Sequence, residues 1–262
     1  MSKEETLETA TVELVPPSSV LAKPKLWQIP QPGAGVYQRL PEKTAALRRR
    51  LQDIYQRHGK VKLASSLAAE DMVLTDLLAA LSLRVEVFVL ETGRLNRETL
   101  ALADEVSSRY PDLDLRLYYP DAEEVAAYVN EFGANAFYDS VALRRQCCHI
   151  RKVEPLNRAL ADADAWITGQ RRGQSPTRSH LPLAEQDNAR GIAKYNPLAD
   201  WGEQDVWAYV LQHRLPANAL YRQGYPSIGC EPCTMPVKAG ADIRSGRWWW
   251  ENRDSKECGL HK

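Results

Sequence analysis

Val61-Lys62-Leu63-Ala64-Ser65-Ser66-Leu67-Ala68-Ala69-Glu70-Asp71 is the stretch whose reading decides the fold. Val61 to Leu67 reads as a strand, and the apolar spacing that follows predicts a helix from Asp71 to Leu83. The alternation then repeats. Strands are expected at Val85–Leu90, Leu113–Tyr119 and Ala165–Thr168, with helices from about Asn96 to Arg109, Ala122 to Phe132 and Ile150 to Ala163. Strands that alternate with helices require crossover connections, which are right-handed and give a mostly parallel sheet. The expected class is α/β, a mostly parallel twisted sheet flanked by helices.

Upstream, Ala46, Leu47, Leu51, Ile54 and Tyr55 recur at helical spacing between Pro41 and His58, with the proline suited to a first turn. Before that, Pro16, Pro17, Pro24, Pro30 and Pro32 punctuate residues 1–40, which read as an irregular accessory arm. Downstream, Glu203–His213 reads as a helix with Val206, Trp207, Val210 and Leu211 as core positions. Residues 215–240 hold Pro216, Gly224, Pro226, Gly229, Pro232 and Pro236, a loop built to carry two cysteines. The expected division is an arm at 1–40, a nucleotide-binding and cysteine-bearing domain at 41–240, and a flexible C-terminal tail at 241–262.

In a parallel sheet, ligands bind beyond the carboxyl ends of the strands, which selects three loops. Ser65, Ser66 and Leu67 follow the first strand and open a helix, where backbone N–H groups and two hydroxyls suit a phosphate. Thr92, Gly93 and Arg94 follow the second, and Gly93 would let a nucleotide lie against backbone. Gly169 opens a third loop, in which Arg171, Arg172 and Arg178 suit an anionic ligand.

The 262 residues have a formal net charge of zero, which argues against broad nucleic-acid binding. No apolar run approaches a membrane span, and the polar start Met1-Ser2-Lys3-Glu4-Glu5 lacks the apolar core of a signal peptide. A cytoplasmic location and no membrane partner are therefore expected; a homo-oligomer is compatible with these features.

Five cysteines remain, arranged as Cys147-Cys148, Cys230-Glu231-Pro232-Cys233 and a solitary Cys258. An odd number in clusters fits a reducing compartment better than a disulfide framework, and adjacent cysteines bridge only with strain. The two pairs offer four soft ligands to iron or zinc. Adjacent Cys147 and Cys148 are awkward for one small ion, whereas a cubane presents separate irons, and this favours a cluster. The thiol left over suits a nucleophile.

Taken together, these motifs resemble the adenylylsulfate reductases, the iron–sulfur branch of the sulfonucleotide reductase family. The residues that carry the resemblance are SSLAAEDMVL at 65–74, ETGR at 91–94, CCHIRK at 147–152 and TGQRRGQSPTR at 168–178. GCEPCTMP at 229–236, RSGRWW at 244–249 and ECGLH at 257–261 complete it. The resemblance spans about 60–262 and leaves the arm uncovered. It implies an adenine nucleotide alpha-hydrolase-like fold, and a reductase converting adenosine 5′-phosphosulfate to sulfite and AMP with thioredoxin or glutaredoxin as donor. The family's role in assimilation into cysteine comes with it. The related ATP pyrophosphatases carry a glycine pair and Asp-Ser in the first loop; Leu67-Ala68-Ala69-Glu70 stands there instead, which argues against ATP cleavage. Asn96-Arg97 stands where a proline is common in the family.

The resemblance implies that Cys147, Cys148, Cys230 and Cys233 hold a 4Fe–4S cluster. It also implies that Cys258 attacks the substrate sulfur, leaving an S-sulfocysteine that a thiol then releases. Lys152, Arg178, Arg244 and Arg247 would neutralise phosphate and sulfate, with His261 as a further contact. Lys152, one helical turn after Cys148, would stand between cluster and substrate. Trp248, Trp249 and Trp250 are expected to pack the base of the tail. Two rivals are a reductase of the 3′-phosphorylated nucleotide and a nucleotide-binding iron–sulfur redox sensor.

Overall fold

A computed structural model describes residues 24–175, 178–251 and Leu260. Six strands, β1 (Val61–Ser65), β2 (Glu86–Leu90), β3 (Asp114–Tyr118), β4 (Ala165–Thr168), β5 (Ala184–Asp187) and β6 (Ile192–Tyr195), form one sheet in the order β3-β2-β1-β4-β6-β5. Every neighbouring pair is parallel except β5 with β6. The expected α/β class therefore holds, with a hairpin added at one edge.

Each central strand is buried on both faces, and period-two alternation divides its side chains between two cores. Leu63, Val87, Val89, Ala165 and Ile167 join the larger core, while Phe88 and Trp166 point the other way into a smaller one. The larger core is covered by α1 (Ala34–Arg57), α2 (Ala69–Ala80), α3 (Arg97–Arg109) and α7 (Glu203–Gln212). On the opposite side, α6 (Glu154–Leu160) contributes Leu156, Ala159 and Leu160. Two further helices, α4 (Ala122–Phe132) and α5 (Val141–Cys148), precede α6 in the chain. No helix among the described residues is long and apolar enough to cross a membrane.

Three expectations are corrected. The first helix begins at Ala34, so Pro41 lies inside it and not at its first turn. Buried Val36 and Leu40 extend the apolar stripe of Leu47, Leu51 and Ile54 across the proline, which removes one backbone bond to a carbonyl a turn earlier. The expected arm boundary therefore falls within α1. The backbone before it is also docked, with Trp27 N–H donating to the Val237 carbonyl at 2.8 Å.

The helix expected at Ile150–Ala163 is the last part of a longer run. α5 starts behind Ser140, whose side chain accepts from Leu143 N–H, and a π-helical turn at His149–Val153 leads into α6. That turn inserts an extra residue, so Lys152 is not placed by simple α-helical spacing from Cys148. Last, β5 and β6 were not foreseen. Each has four residues and mixed polarity, and Gly191 at φ +70° closes the turn between them.

Candidate active site

A cavity of about 250 Å³ opens beyond the carboxyl ends of β1, β2 and β4, where a parallel sheet is expected to bind its ligand. Phe88, Leu156 and Trp166 line its apolar side, and Ser65, Ser66, Thr92, Lys152, Gly169, Arg178, Arg244 and Arg247 also line it. Eight sequence-selected residues thus come together although they span much of the chain. Leu260 lines the same cavity and packs against the Phe88 and Trp166 core. Cys258 and His261 lie outside the described residues.

The first loop differs from expectation in its hydrogen bonding. Its amides were expected to face a phosphate, yet they donate within the chain. Asp71 Oδ2 accepts from Ser66 N–H at 2.7 Å, Ser66 Oγ at 2.8 Å and Ala68 N–H at 3.4 Å. Leu67 N–H donates to Ser65 Oγ at 3.1 Å, and Ala69 N–H to Tyr221 Oη at 2.9 Å. Leu67 itself is buried at φ +59° and is not among the cavity-lining residues. A carboxylate of the protein therefore sits where the helix N-terminus would hold an anion. Burial raises the Asp71 carboxyl to about 6 against the pull of the Ser66 bonds.

The third loop lies directly on this one. A Cβ at Gly169 would stand 2.2 Å from Asp71 Oδ1 and 3.0 Å from Glu70 Cβ, so only glycine permits the approach. Arg171 does not stand free for a ligand. It is buried and bonds Glu70 Oε1 through Nε at 2.8 Å and Nη2 at 2.7 Å. Arg172 donates to the Leu181 carbonyl at 2.9 Å, and Arg178 to Gln174 Oε1 at 2.8 Å. Of these arginines, Arg171 and Arg178 line the cavity.

The second loop forms a wall between the cavity and the cysteines. Thr92 Oγ1 is 3.3 Å from Cys230 Sγ, and its carbonyl accepts from Arg151 Nη1 at 2.7 Å. Gly93 at φ +70° donates to the Glu91 carboxylate, and a Cβ there would approach Arg151 Nη1 to 3.1 Å. Its lack of a side chain thus serves Arg151. Arg94 turns away from the cavity, donating to the Ala134 carbonyl at 2.6 Å and Asn135 Oδ1 at 3.1 Å above the Phe137 ring.

Behind that wall, Cys147 and Cys148 end α5, while Cys230 caps and Cys233 ends a 3-10 turn. Cys147, Cys230 and Cys233 share one packed group with Phe137 and Trp248. None of the four is in a disulfide, and Cys147 is the least buried. Burial and the neighbouring thiols push Cys233 up to about 12. Cys230 goes the other way: burial raises it, but Lys152, Thr92 and Arg247 together hold it below the ordinary thiol value. Among the described residues no set of three or more His, Cys, Asp or Glu side chains is placed to hold a metal ion. The donor set is four thiols beside Lys152, Arg151, Arg144 and Arg247, a chemistry suited to soft, thiolate-bound iron.

Trp248 joins the two compartments. It lines the cavity, packs on Cys230 and Cys233, and its ring has the Arg144 and Arg247 guanidinium carbons at 4.7 and 4.8 Å from its centroid. Arg247 Nη1 donates to the Ile228 carbonyl at 3.0 Å, whereas its buried Nε has no acceptor among the described residues. Trp250 packs on Phe137 and Tyr138, while Trp249 is 52% exposed.

Several cavity residues escaped the sequence reading as site residues: Glu70, Asp71, Glu203, Tyr221 and the aromatic floor. Glu70 and Asp71 carried a signal, as acids in a first helical turn that follows a strand. Tyr221 carried none.

Comparison with known proteins identifies the family. Residues 60–236 match the family model described as phosphoadenosine phosphosulfate reductase domain. An adenosine 5′-phosphosulfate reductase of Neisseria meningitidis serogroup B is 59% identical, covering 93% of this chain and 99% of the relative. One of the same description from Burkholderia cepacia is 60% identical over 80% of this chain and 84% of its own. Among solved structures, phosphoadenylyl-sulfate reductase from Candida auris superposes with a TM-score of 0.63 at 23% identity, covering 80% of this chain and all of that one. Yeast FAD synthetase reaches 0.55 at 18% identity, over 79% and 70% respectively. These two are likenesses of fold. The chain belongs to the phosphoadenosine and adenosine 5′-phosphosulfate reductase family.

Proposed function

We propose, from that membership, that the protein reduces adenosine 5′-phosphosulfate to sulfite and AMP, using thioredoxin or a similar dithiol protein. Its place would be sulfate assimilation towards cysteine, in the cytoplasm. The observation that carries the reading is one cavity at the carboxyl edge of the sheet with Lys152, Arg244, Arg247 and Trp248 on its wall, Cys147, Cys230 and Cys233 packed with that same Trp248, and Leu260 inside. The nucleoside takes the apolar side near Phe88, Leu156 and Trp166. The phosphosulfate faces the cations, with Arg247 Nε as an available buried donor. Ser65, Ser66, Thr92, Gly169 and Arg178 complete the binding surface, and His261 is assigned a further contact from the C-terminal segment.

Cys258 is the proposed nucleophile. Its thiolate forms an S–S bond to the sulfate sulfur as the S–O bond to phosphate breaks, and AMP leaves with the electron pair. Cys258 then carries the sulfonate as S-sulfocysteine. A donor thiolate attacks the Cys258 sulfur and expels sulfite; the donor's second thiol resolves the mixed disulfide and becomes oxidised. Both electrons come from the dithiol. Leu260, two positions after Cys258, supports the delivery of this segment to the cavity.

Cys147, Cys148, Cys230 and Cys233 are the proposed ligands of a 4Fe–4S cluster, which would supply a fixed charge beside the substrate cations. The protein's own part is to hold Lys152 and Arg247 between the two. Their influence on Cys230 supports that placement. We further propose that 241–262 acts as the catalytic tail of a domain that includes the whole of α1 from Ala34, with an accessory role left to the residues before it.

Anaerobic purification with iron and sulfide analysis, followed by thioredoxin-dependent sulfite release from each nucleotide, tests this. Sulfite from adenosine 5′-phosphosulfate and an added SO₃ on the peptide bearing Cys258 are expected. A strong preference for the 3′-phosphorylated nucleotide would replace the reading with the alternative reductase. Cys258→Ser should abolish sulfite release and keep the brown absorbance; retained function in that variant would favour a redox sensor.

A further inference from the structure

Arg144 is the most deeply buried arginine among the described residues, at 0% exposure, and the proposed chemistry gives it no role. It stands on α5 one turn before Cys148 and points at the far end of the described chain. Its guanidinium holds Glu251 in a two-point bond, Nε to Oε1 at 2.5 Å and Nη2 to Oε2 at 2.9 Å, with the Glu251 side chain 4% exposed. The same group lies over the Trp248 ring at 4.7 Å and bonds the Cys148 thiol.

Two charges so buried lose their hydration, and such a pair is a weak source of stability compared with apolar packing. What it does well is fix one geometry. Here the fixed element is the root of the C-terminal segment, because Cys258 follows Glu251 by seven residues. The backbone just before it is in a costly conformation: Trp248 has φ +42°, a left-handed value that bulky residues rarely adopt unless surrounding contacts impose it. Those contacts are Arg144 and Arg247 at the ring and the Trp248 N–H bond to the Cys233 carbonyl at 3.1 Å. The cysteine site therefore grips the root of the segment at two points, through Cys148 to Arg144 to Glu251 and through Cys233 to Trp248.

We propose that Arg144 and Glu251 form a clamp that ties the root of the C-terminal segment to the cysteine site and so positions Cys258 for attack. Both are positioning residues. The inference rests on the reading of Cys258 as nucleophile. It gives the cysteine site a mechanical part in catalysis, since whatever orders Cys148 also orders Arg144 and, through it, Glu251.

The test compares wild type with Glu251→Gln and Arg144→Lys, each purified anaerobically. Four quantities are measured: iron and sulfide content, AMP affinity, the single-turnover rate at which the Cys258 peptide gains SO₃ from adenosine 5′-phosphosulfate, and the alkylation rate of Cys258 by iodoacetamide with AMP bound. Both variants are expected to keep their iron and to bind AMP within about twofold of wild type. The adduct should form at least tenfold more slowly, and alkylation of Cys258 with AMP bound should rise severalfold. Unchanged adduct and alkylation rates overturn the clamp. Iron loss in both variants in proportion to activity also overturns it, since the pair would then only support the cysteine site. If wild type itself gains no SO₃ on Cys258, the functional reading fails instead, and the alkylation rates still decide whether the clamp exists.

Discussion

Asp71 offers a perturbation whose size follows from the structure. Its carboxyl is 4% exposed, and burial lifts its pKa from 3.8 to about 6. A carboxyl whose folded value lies above its unfolded value binds its proton more tightly in the native state. Its contribution is thus most favourable at acid pH and is lost as pH rises through the interval from about 4 to about 6. At neutral pH the ionised form costs about 1.4 kcal/mol per unit, or about 3 kcal/mol in all. Asp71→Asn removes that charge while keeping an oxygen able to accept from Ser66 and Ala68. The variant should be more stable than wild type at pH 7 by about 1 to 3 kcal/mol, the lower figure allowing for weaker bonds to a neutral acceptor. Near pH 4 the advantage should vanish. Urea unfolding of both proteins under anaerobic conditions at several pH values gives the answer as a difference between two otherwise identical chains. A variant that is destabilised at pH 7, or whose difference from wild type is flat with pH, would refute the reasoning.

Gly229→Ala would place a Cβ 2.3 Å from Arg247 Nη2 and displace a guanidinium assigned to the sulfate. With one charged contact worth about 1.5–3 kcal/mol, sulfite release should fall about tenfold to a hundredfold while the melting temperature moves little. Glu70→Gln leaves the Arg171 guanidinium buried without its counter-charge, a loss of about 3–5 kcal/mol that should appear as a melting point lower by roughly 10 °C in scans at a fixed rate. Gly246→Ala meets the Met235 backbone oxygen at 2.1 Å, which no side-chain rotation relieves. It should disrupt the Met235 to Gly246 pairing, and iron content measured after anaerobic purification should drop.

The sequence reading succeeded where local pattern and global structure coincide. β1, β2 and β4 are short apolar runs between helices, and their burial on both faces leaves no alternative register for Val87, Phe88 and Val89. It failed where tertiary contacts decide. Nothing local marks Arg171, on the loop after β4, as the partner of Glu70, in the first turn of α2 after β1; they meet because β1 and β4 are neighbours. Likewise the loop at Ser65–Asp71 looked like an anion seat because its amides precede a helix. That Asp71 folds back onto them is visible only in the structure. Pro41 misled through a sound rule, since prolines do favour first turns, but the apolar stripe continued across it.

The placement of the cations answers an electrostatic difficulty that the sequence leaves open. On the proposed reading, four cysteines that bind a cluster as thiolates and a doubly anionic nucleotide are both negative, and a protein that sets them side by side needs positive charge between them. Lys152 and Arg247 occupy that boundary: both line the cavity, and both act on Cys230. Arg144 and Arg151 stand on the α5 side, the former bonded to Cys148 and the latter to the Thr92 carbonyl on the shared wall. Because these side chains are largely buried, salt screens them poorly, and their field acts on both compartments at once. On that reading, a change in charge at the cysteines would be felt at the end of the cavity assigned to the phosphosulfate through the same cations, without movement of the backbone. That coupling predicts a difference between two kinds of damage. Loss of Arg244, which lines the cavity, should weaken nucleotide binding and leave the cysteine site intact. Loss of Lys152 should impair both, read together as nucleotide affinity and iron content.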